Sequence, residues 1–167
     1  MRSPDHTRRV VVTGLGVVSP VGNDRDTAWT SLVEGRSGLA ELTRFDISKY
    51  EHKAGGEVRD FEAASWMDPK AVRRSEREMH YGVAAAKQAV ADAGFEIDDA
   101  NRADVGVVFG SGAGGQQLMI DNFSTLVEKG PNRVQPTFIA NALVDSTSGM
   151  IAIETGAIGH NIAIVSA

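Results

Sequence analysis

Two clusters of residues in this sequence have the types and spacing to do chemistry. Gly110, Gly112 and Gly115 fit G-x-G-x-x-G between an apolar run and a helical pattern. In that setting the backbone amides at a helix start can receive a pyrophosphate, as in dinucleotide-dependent oxidoreductases. Such a site also needs a following strand with an acidic residue for the ribose, whereas Gly130-Pro131 and a polar segment follow here. Gly14 and Gly16 lack a third glycine, and neither turn runs into Gly-Lys-Ser/Thr, which excludes a P-loop. The plainer reading of the 110–115 turn is close backbone packing. The second cluster is cationic. Lys70, Arg73, Arg74 and Arg77 recur at i, i+3, i+4 and i+7, so on one continuous helix they share a side. Like charges so placed cost about 0.2–0.5 kcal/mol per pair, and a helix N-terminus disfavours cations further. Glu76 and Glu78 relieve only part of that. The arrangement points to an anionic partner, with an ordinary solvated face as the alternative. Nucleic acid fits poorly, because no aromatic residues interleave the cations.

The remaining chemistry-bearing residues form no site. His6, His52, His80 and His160 have no partner at metal-ligand spacing. Ser111 lies in Gly-Ser-Gly, which is not the nucleophile elbow, and Ser146, Ser148 and Ser166 have no motif around them. The absence of cysteine excludes a disulfide framework and any Cys-ligated metal. A net charge of -5 speaks against a general nucleic-acid binder. With 167 residues, 42% of them apolar, the chain can build one domain with a real core. Met1 to Arg9 is polar and charged, unlike a secretory signal, and no run suits a membrane span. A cytoplasmic location fits.

Elements that would position these residues follow in order. Arg9 to Ser19, with Val10, Val11 and Val12, reads as a buried strand. Asp26 to Glu34 reads as a helix closed by Gly35. Residues 36–65 read as a connection with short strands. Asp68-Pro69 is a helix start, and Val72, Met79, Val83, Ala86, Val90 and Ala93 carry one amphipathic helix to Gly94. Val105 to Gly110 is a second buried strand, Gln117 to Lys129 a helix stopped by Gly130-Pro131, Phe138 to Thr155 helical again, and Asn161 to Ala167 a third strand. Strands alternating with helices imply an α/β fold with a mainly parallel sheet in a single domain, 1–167. The apolar last strand leaves an edge to be covered by more chain or by a second subunit.

In their order these residues resemble one family, the elongating β-ketoacyl-acyl carrier protein synthases. The stretch from Arg9 to Gly22 is similar to that family's opening. Trp29, Leu32, Gly35, Ser37-Gly38, Phe45-Asp46, the run Gly55 to Val58, Met67-Asp68 and Arg73-Arg74 continue the likeness. So do Asp92-Ala93-Gly94, Val105-Gly106-Val107, Gly110-Ser111-Gly112, Gly130-Pro131, Phe138-Ile139, Gly149, the run Ile151 to Ile153 and Gly156.

The resemblance implies a thiolase-like layered fold, of which this is the N-terminal half. It also implies a cysteine nucleophile at position 168, after Ala167, with two histidines and a lysine supplied by the C-terminal half. No catalytic residue, metal or cofactor is then expected within 1–167. The implied reaction is ping-pong: acyl transfer to cysteine, decarboxylation of malonyl-acyl carrier protein, and carbon–carbon bond formation. Gly112, Ala113, Phe138 and Ala167 match acyl-pocket positions, Phe138 on a segment that reaches the neighbouring subunit. Lys70, Arg73, Arg74 and Arg133 match the docking patch for the acidic carrier protein. Implied partners are the carrier protein, the C-terminal half, and a homodimer or ketosynthase-like heterodimer mate. The pattern departs at Ala140, where proline is usual, at Asp145, where asparagine is usual, and at His160, where proline is common. Ala113 replaces a larger aliphatic residue. These differences leave fatty acid and polyketide substrates both open. A non-catalytic chain-length-factor subunit is the second reading, and the oxidoreductase the third.

Overall fold

The computed structural model describes residues 9–166. Asp24 starts the first helix, α1 (Arg25–Val33): its carboxylate accepts from Thr27 N at 2.8 Å and Thr27 Oγ1 at 2.7 Å. Those two hydrogen bonds hold Asp24 below the usual carboxylate range. Gly35, at φ 69°, ends the turn after α1. Strands β1 (Leu39–Glu41) and β2 (Ala54–Gly56) then pair antiparallel, Ala40 opposite Gly55. Glu57 is buried just beyond them. Burial alone would raise its pKa, but bonds from Thr43 N, Thr43 Oγ1 and Arg44 N at 3.0, 2.8 and 3.1 Å bring it below the ordinary value.

The helix expected from Pro69 to Ala93 is two helices. α2 (Pro69–Val72) starts from Asp68, whose carboxylate accepts from Lys70 N at 2.7 Å, and α3 spans Arg77–Asp92. Between them Glu76 is extended, at φ -95° and ψ 164°. The Ser75 hydroxyl lies 2.7 Å from the Ala71 carbonyl, to which it donates, and 3.1 Å from His80 Nε2. Such local side-chain bonds compete with a continuous helical ladder. The apolar periodicity survives the break: Met79 and Val83 are fully buried on α3.

After α3 come β3 (Val107–Gly110), α4 (Gln116–Lys129), a 3-10 turn (Pro131–Arg133), α5 (Phe138–Ala142), α6 (Ser146–Thr155) and β4 (Asn161–Ile164). β3 and β4 pair in parallel, from Val107 opposite Asn161 to Gly110 opposite Ile164. The helix expected over 138–155 is interrupted at Leu143, which is extended. Ser146 Oγ donates to Ala140 O at 2.6 Å and Ser148 Oγ to Asp145 O at 2.9 Å, closing that turn. The core gathers Met67, Val83 and Ile151, with Trp66, Val107 and Phe109 packed against them, so α3 lies on α6 and β3. Lys87 locks the same layers, donating to Glu154 Oε2 at 2.7 Å and to Trp66 O at 2.5 Å.

Two strand expectations change. Residues 9–18 form no strand, and Val10 and Val12 are 98% and 80% exposed. The stretch lies instead on α3: Leu15 N donates to Asp92 Oδ2 at 3.0 Å and Val17 N to Gln88 Oε1 at 3.2 Å. Helix side chains thus take amide hydrogens that a neighbouring strand would otherwise engage. β3 is shorter than expected and is not buried on both faces, since Val108 is exposed and Phe109 faces the core. The parallel pairing of the second and third expected strands holds, although each observed sheet has two strands.

Candidate functional site

In α/β proteins ligands gather at the carboxyl ends of parallel strands. Here β3 and β4 end level with each other, and Ser111 N donates to Ile164 O at 3.1 Å, extending the pairing by one residue. The chain then turns through Gly112 to Gly115 into α4. Ser111 Oγ donates to Ala113 O at 2.7 Å, which tightens the turn. Gly112 and Ala113 are exposed on it. A Cβ on Gly114 would sit 2.1 Å from Ala142 O, and one on Gly115 would sit 3.1 Å from Asn141 O. The turn is therefore pressed backbone to backbone against the end of α5, the helix that carries Phe138. Gly110 and Gly112 face open space at the same positions. Close packing against protein explains Gly114, which lies outside the G-x-G-x-x-G pattern. After α4 the chain enters a 3-10 turn and two helices before its next strand, unlike a dinucleotide-binding unit.

Phe138 is half-buried and meets Phe123 of α4 edge to face, ring centroids 5.8 Å apart. The loop before it is pinned by buried Asn122, which donates to Leu118 O and accepts from Gln135 N, both at 2.9 Å. Gly112 and Ala113 thus lie on a turn that abuts the C-terminal end of α5, and Phe138 opens that helix. Ala167 lies outside the described residues.

Lys70, Arg73, Arg74 and Arg133 are all exposed, and none is in an ion pair among the described residues. The broken helix corrects the electrostatic argument for them. Lys70 belongs to α2, Arg73 caps its C-terminus, Arg74 lies in the connection and Arg77 opens α3. They do not share one helix face, and Arg73 stands at a helix end that favours a cation. The arginine-bearing connection is nonetheless tied to the turn's neighbourhood, because Asn141 Nδ2 on α5 donates to Arg74 O. Arg133 lies in the 3-10 turn leading toward α5.

A polar hollow of about 610 Å³ opens at the same break, lined by residues that include Ser75, Glu76, Glu78, His80 and Gln117. Partial burial there pushes the Glu76 carboxyl up, helped by the charges of Glu78 and Asp121. Burial pushes the His80 imidazole down, against opposing contributions from the Val72 carbonyl and Glu78. A more apolar hollow of about 370 Å³, between α3, β3 and α6, is lined by Ala86, Val90, Phe109 and Ile151 among others. It lies within the packed layers rather than at the strand ends. No group of His, Cys, Asp and Glu suited to a metal ion occurs among the described residues, and no helix there is long and apolar enough to cross a membrane.

The glycine turn and the exposure of the clustered cations agree with the sequence reading. The contacts of Gly114, Asn122 and Asn141 that hold this region were not among the expectations. A third glycine in the 112–115 run was a usable signal for the first. The two asparagines carry none, because their partners come from the fold.

The chain is similar to known proteins in sequence and in fold. A family model described as "Beta-ketoacyl synthase, N-terminal domain" matches residues 7–167. The 3-oxoacyl-[acyl-carrier-protein] synthase 2 of Vibrio harveyi is 43% identical over 96% of this chain and 39% of its own length. That of Coxiella burnetii is 42% identical over the same shares. Among solved structures, the ishigamide ketosynthase/chain length factor superposes with a TM-score of 0.80 at 28% identity, covering 95% of this chain and 40% of that one. The chain thus spans about two fifths of the length of these relatives, and its α/β layers are the N-terminal half of their thiolase-like fold. On its match over 7–167, this chain belongs to the β-ketoacyl synthase family, N-terminal domain.

Proposed function

We propose that this chain serves the decarboxylative condensation of an acyl thioester with malonyl-acyl carrier protein, in fatty acid or polyketide elongation. In this acyltransferase a cysteine thiolate at position 168 attacks the acyl thioester and expels the carrier thiol. Malonyl-carrier then loses carbon dioxide, and the resulting enolate attacks the acyl carbonyl and releases the cysteine. Two histidines and a lysine of a C-terminal half assist, and no cofactor is needed. The part played by the described residues is placement. Gly112, Ala113 and Phe138, with Ala167, wall the acyl pocket, while Lys70, Arg73, Arg74 and Arg133 dock the acidic carrier. A dimer, of identical or of ketosynthase-like chains, and a cytoplasmic setting belong to the same reading.

The observation that carries it is the pairing of exposed arginines, without an ion-pair partner among the described residues, with a strand-end turn, joined through α5. The test is the double charge reversal Arg73→Glu with Arg74→Glu in the full-length protein. Each exposed contact contributes about 0.2–1 kcal/mol, and reversal replaces attraction with repulsion, so the KM for the carrier should rise about tenfold and depend less on salt. Unchanged carrier kinetics would sink the docking assignment. The likeness to a ketosynthase/chain length factor favours one second reading, a non-catalytic subunit that shapes a heterodimer. Residue 168 separates the two: cysteine for catalysis, an inert residue for the subunit.

A further inference from the structure

We propose that Asn141 is a positioning residue that sets the docked carrier protein relative to the mouth of the acyl pocket; this rests on the docking reading above. The break between α2 and α3 explains why such a residue is needed. In a continuous helix the Arg74 carbonyl would accept from the amide of residue 78. With Glu76 extended, no backbone N–H among the described residues reaches that carbonyl, and the Asn141 side chain supplies the donor. The same residue acts in the other direction through its backbone. Its carbonyl oxygen lies 3.1 Å from the place a Gly115 Cβ would take, and the next carbonyl, that of Ala142, closes on Gly114. Its own N–H is bound within α5, to Thr137 O at 3.1 Å. One residue therefore grips the connection that presents Arg73 and Arg74 and abuts the turn that presents Gly112 and Ala113. Arg73 and Arg74 are exposed and without an ion-pair partner among the described residues, so the backbone of their connection is what fixes where their charges stand.

The test uses the full-length protein with Asn141→Ala and Asn141→Leu. The leucine variant keeps the side chain's branching and number of heavy atoms, which separates loss of the donor from loss of packing. Losing one backbone-directed hydrogen bond should raise the carrier KM about three- to tenfold. The kcat at saturating carrier, and the rate of acylation by a carrier-free pantetheine thioester, should stay within about twofold, since neither step needs the carrier positioned first. Combining Asn141→Leu with Arg74→Ala should cost less than the sum of the two single effects, because both act on one contact. An unchanged carrier KM in both Asn141 variants overturns the proposal, as does an equal fall in carrier-dependent and carrier-free rates. If Arg73→Glu with Arg74→Glu raises the KM while the Asn141 variants do not, docking stands and the positioning role fails. If the charge reversal itself has no effect, the docking reading fails and this inference with it.

Discussion

Gly114→Ala offers a direct test of how the strand-end turn is held. The added methyl would sit 2.1 Å from Ala142 O and 3.1 Å from both Ala142 C and Leu143 C. All three are backbone atoms, so no flexible side chain can move aside. A carbon and a carbonyl oxygen rest at about 3.3 Å, so the turn or the end of α5 must retreat by about 1 Å. Forced overpacking costs typically 1–3 kcal/mol, and a clash between two backbones belongs at the upper end, about 3 kcal/mol. The displaced turn carries Ala113, so the proposed acyl pocket should change shape along with stability. Gly112→Ala is the matched control, since its Cβ meets nothing within 4 Å. The assay is denaturant unfolding of the full-length protein, together with acylation rates over a series of acyl chain lengths. Gly114→Ala should lower the unfolding free energy by about 3 kcal/mol and flatten the chain-length preference. Gly112→Ala should leave stability within about 0.5 kcal/mol. Equal stability in the two variants would refute the contact between turn and α5.

Ala113 is exposed on the turn, and a larger aliphatic residue there should narrow the pocket: Ala113→Ile is expected to shift the chain-length profile toward shorter acyl groups by about tenfold in kcat/KM for the longest. An unaltered profile would remove Ala113 from the pocket wall. The raised Glu76 carboxyl gives a pH signature. A folded-state pKa above the unfolded one means stability is full below the ordinary value of 4.5 and is lost as pH rises through the folded value. Glu76→Gln should remove that loss, gaining a few tenths, about 0.3 kcal/mol, at pH 7 after screening by solvent. His80 slopes the other way: its lowered pKa contributes stability above its ordinary 6.5 that is lost as pH falls. The difference between wild type and Glu76→Gln in unfolding free energy against pH isolates the carboxyl, and a flat difference would contradict the half-buried, carboxylate-flanked placement of Glu76.

The parts of this fold written locally are the parts the sequence reveals. α4 is delimited by a glycine at each end, and α1 by Asp24 and Gly35, so their bounds can be read to within a residue or two. The break at Ser75 is invisible for the opposite reason. Val72, Met79 and Val83 keep helical spacing straight through it, while the break itself is the extended Glu76, beside a Ser75 hydroxyl bonded back to Ala71. Val10, Val11 and Val12 have the character of a buried strand, yet amide bonds to Asp92 and Gln88 lay the stretch after them along α3. The site divides in the same way. Glycine spacing and clustered cations locate its turn and its exposed charges. Asn141 finds its partner 67 residues away, and no local pattern encodes such a meeting.

The contact of residues 14–16 with α3 has a consequence for how this sequence can drift. A Cβ on Gly16 would lie 1.9 Å from Ala85 O, and one on Gly14 would lie 2.1 Å from Ala89 O and 2.9 Å from the Ala93 methyl. One side of the crossing already has no side chain, and the obstruction on the other is mostly main chain. Shrinking the alanines to glycine would free no room against those carbonyls and would loosen the helix by about 1 kcal/mol each. Growth at Gly14 or Gly16 therefore has no compensating substitution on α3. Variation across the rest of the helix can be exchanged between neighbours, but this crossing can change only if the backbone itself is rerouted.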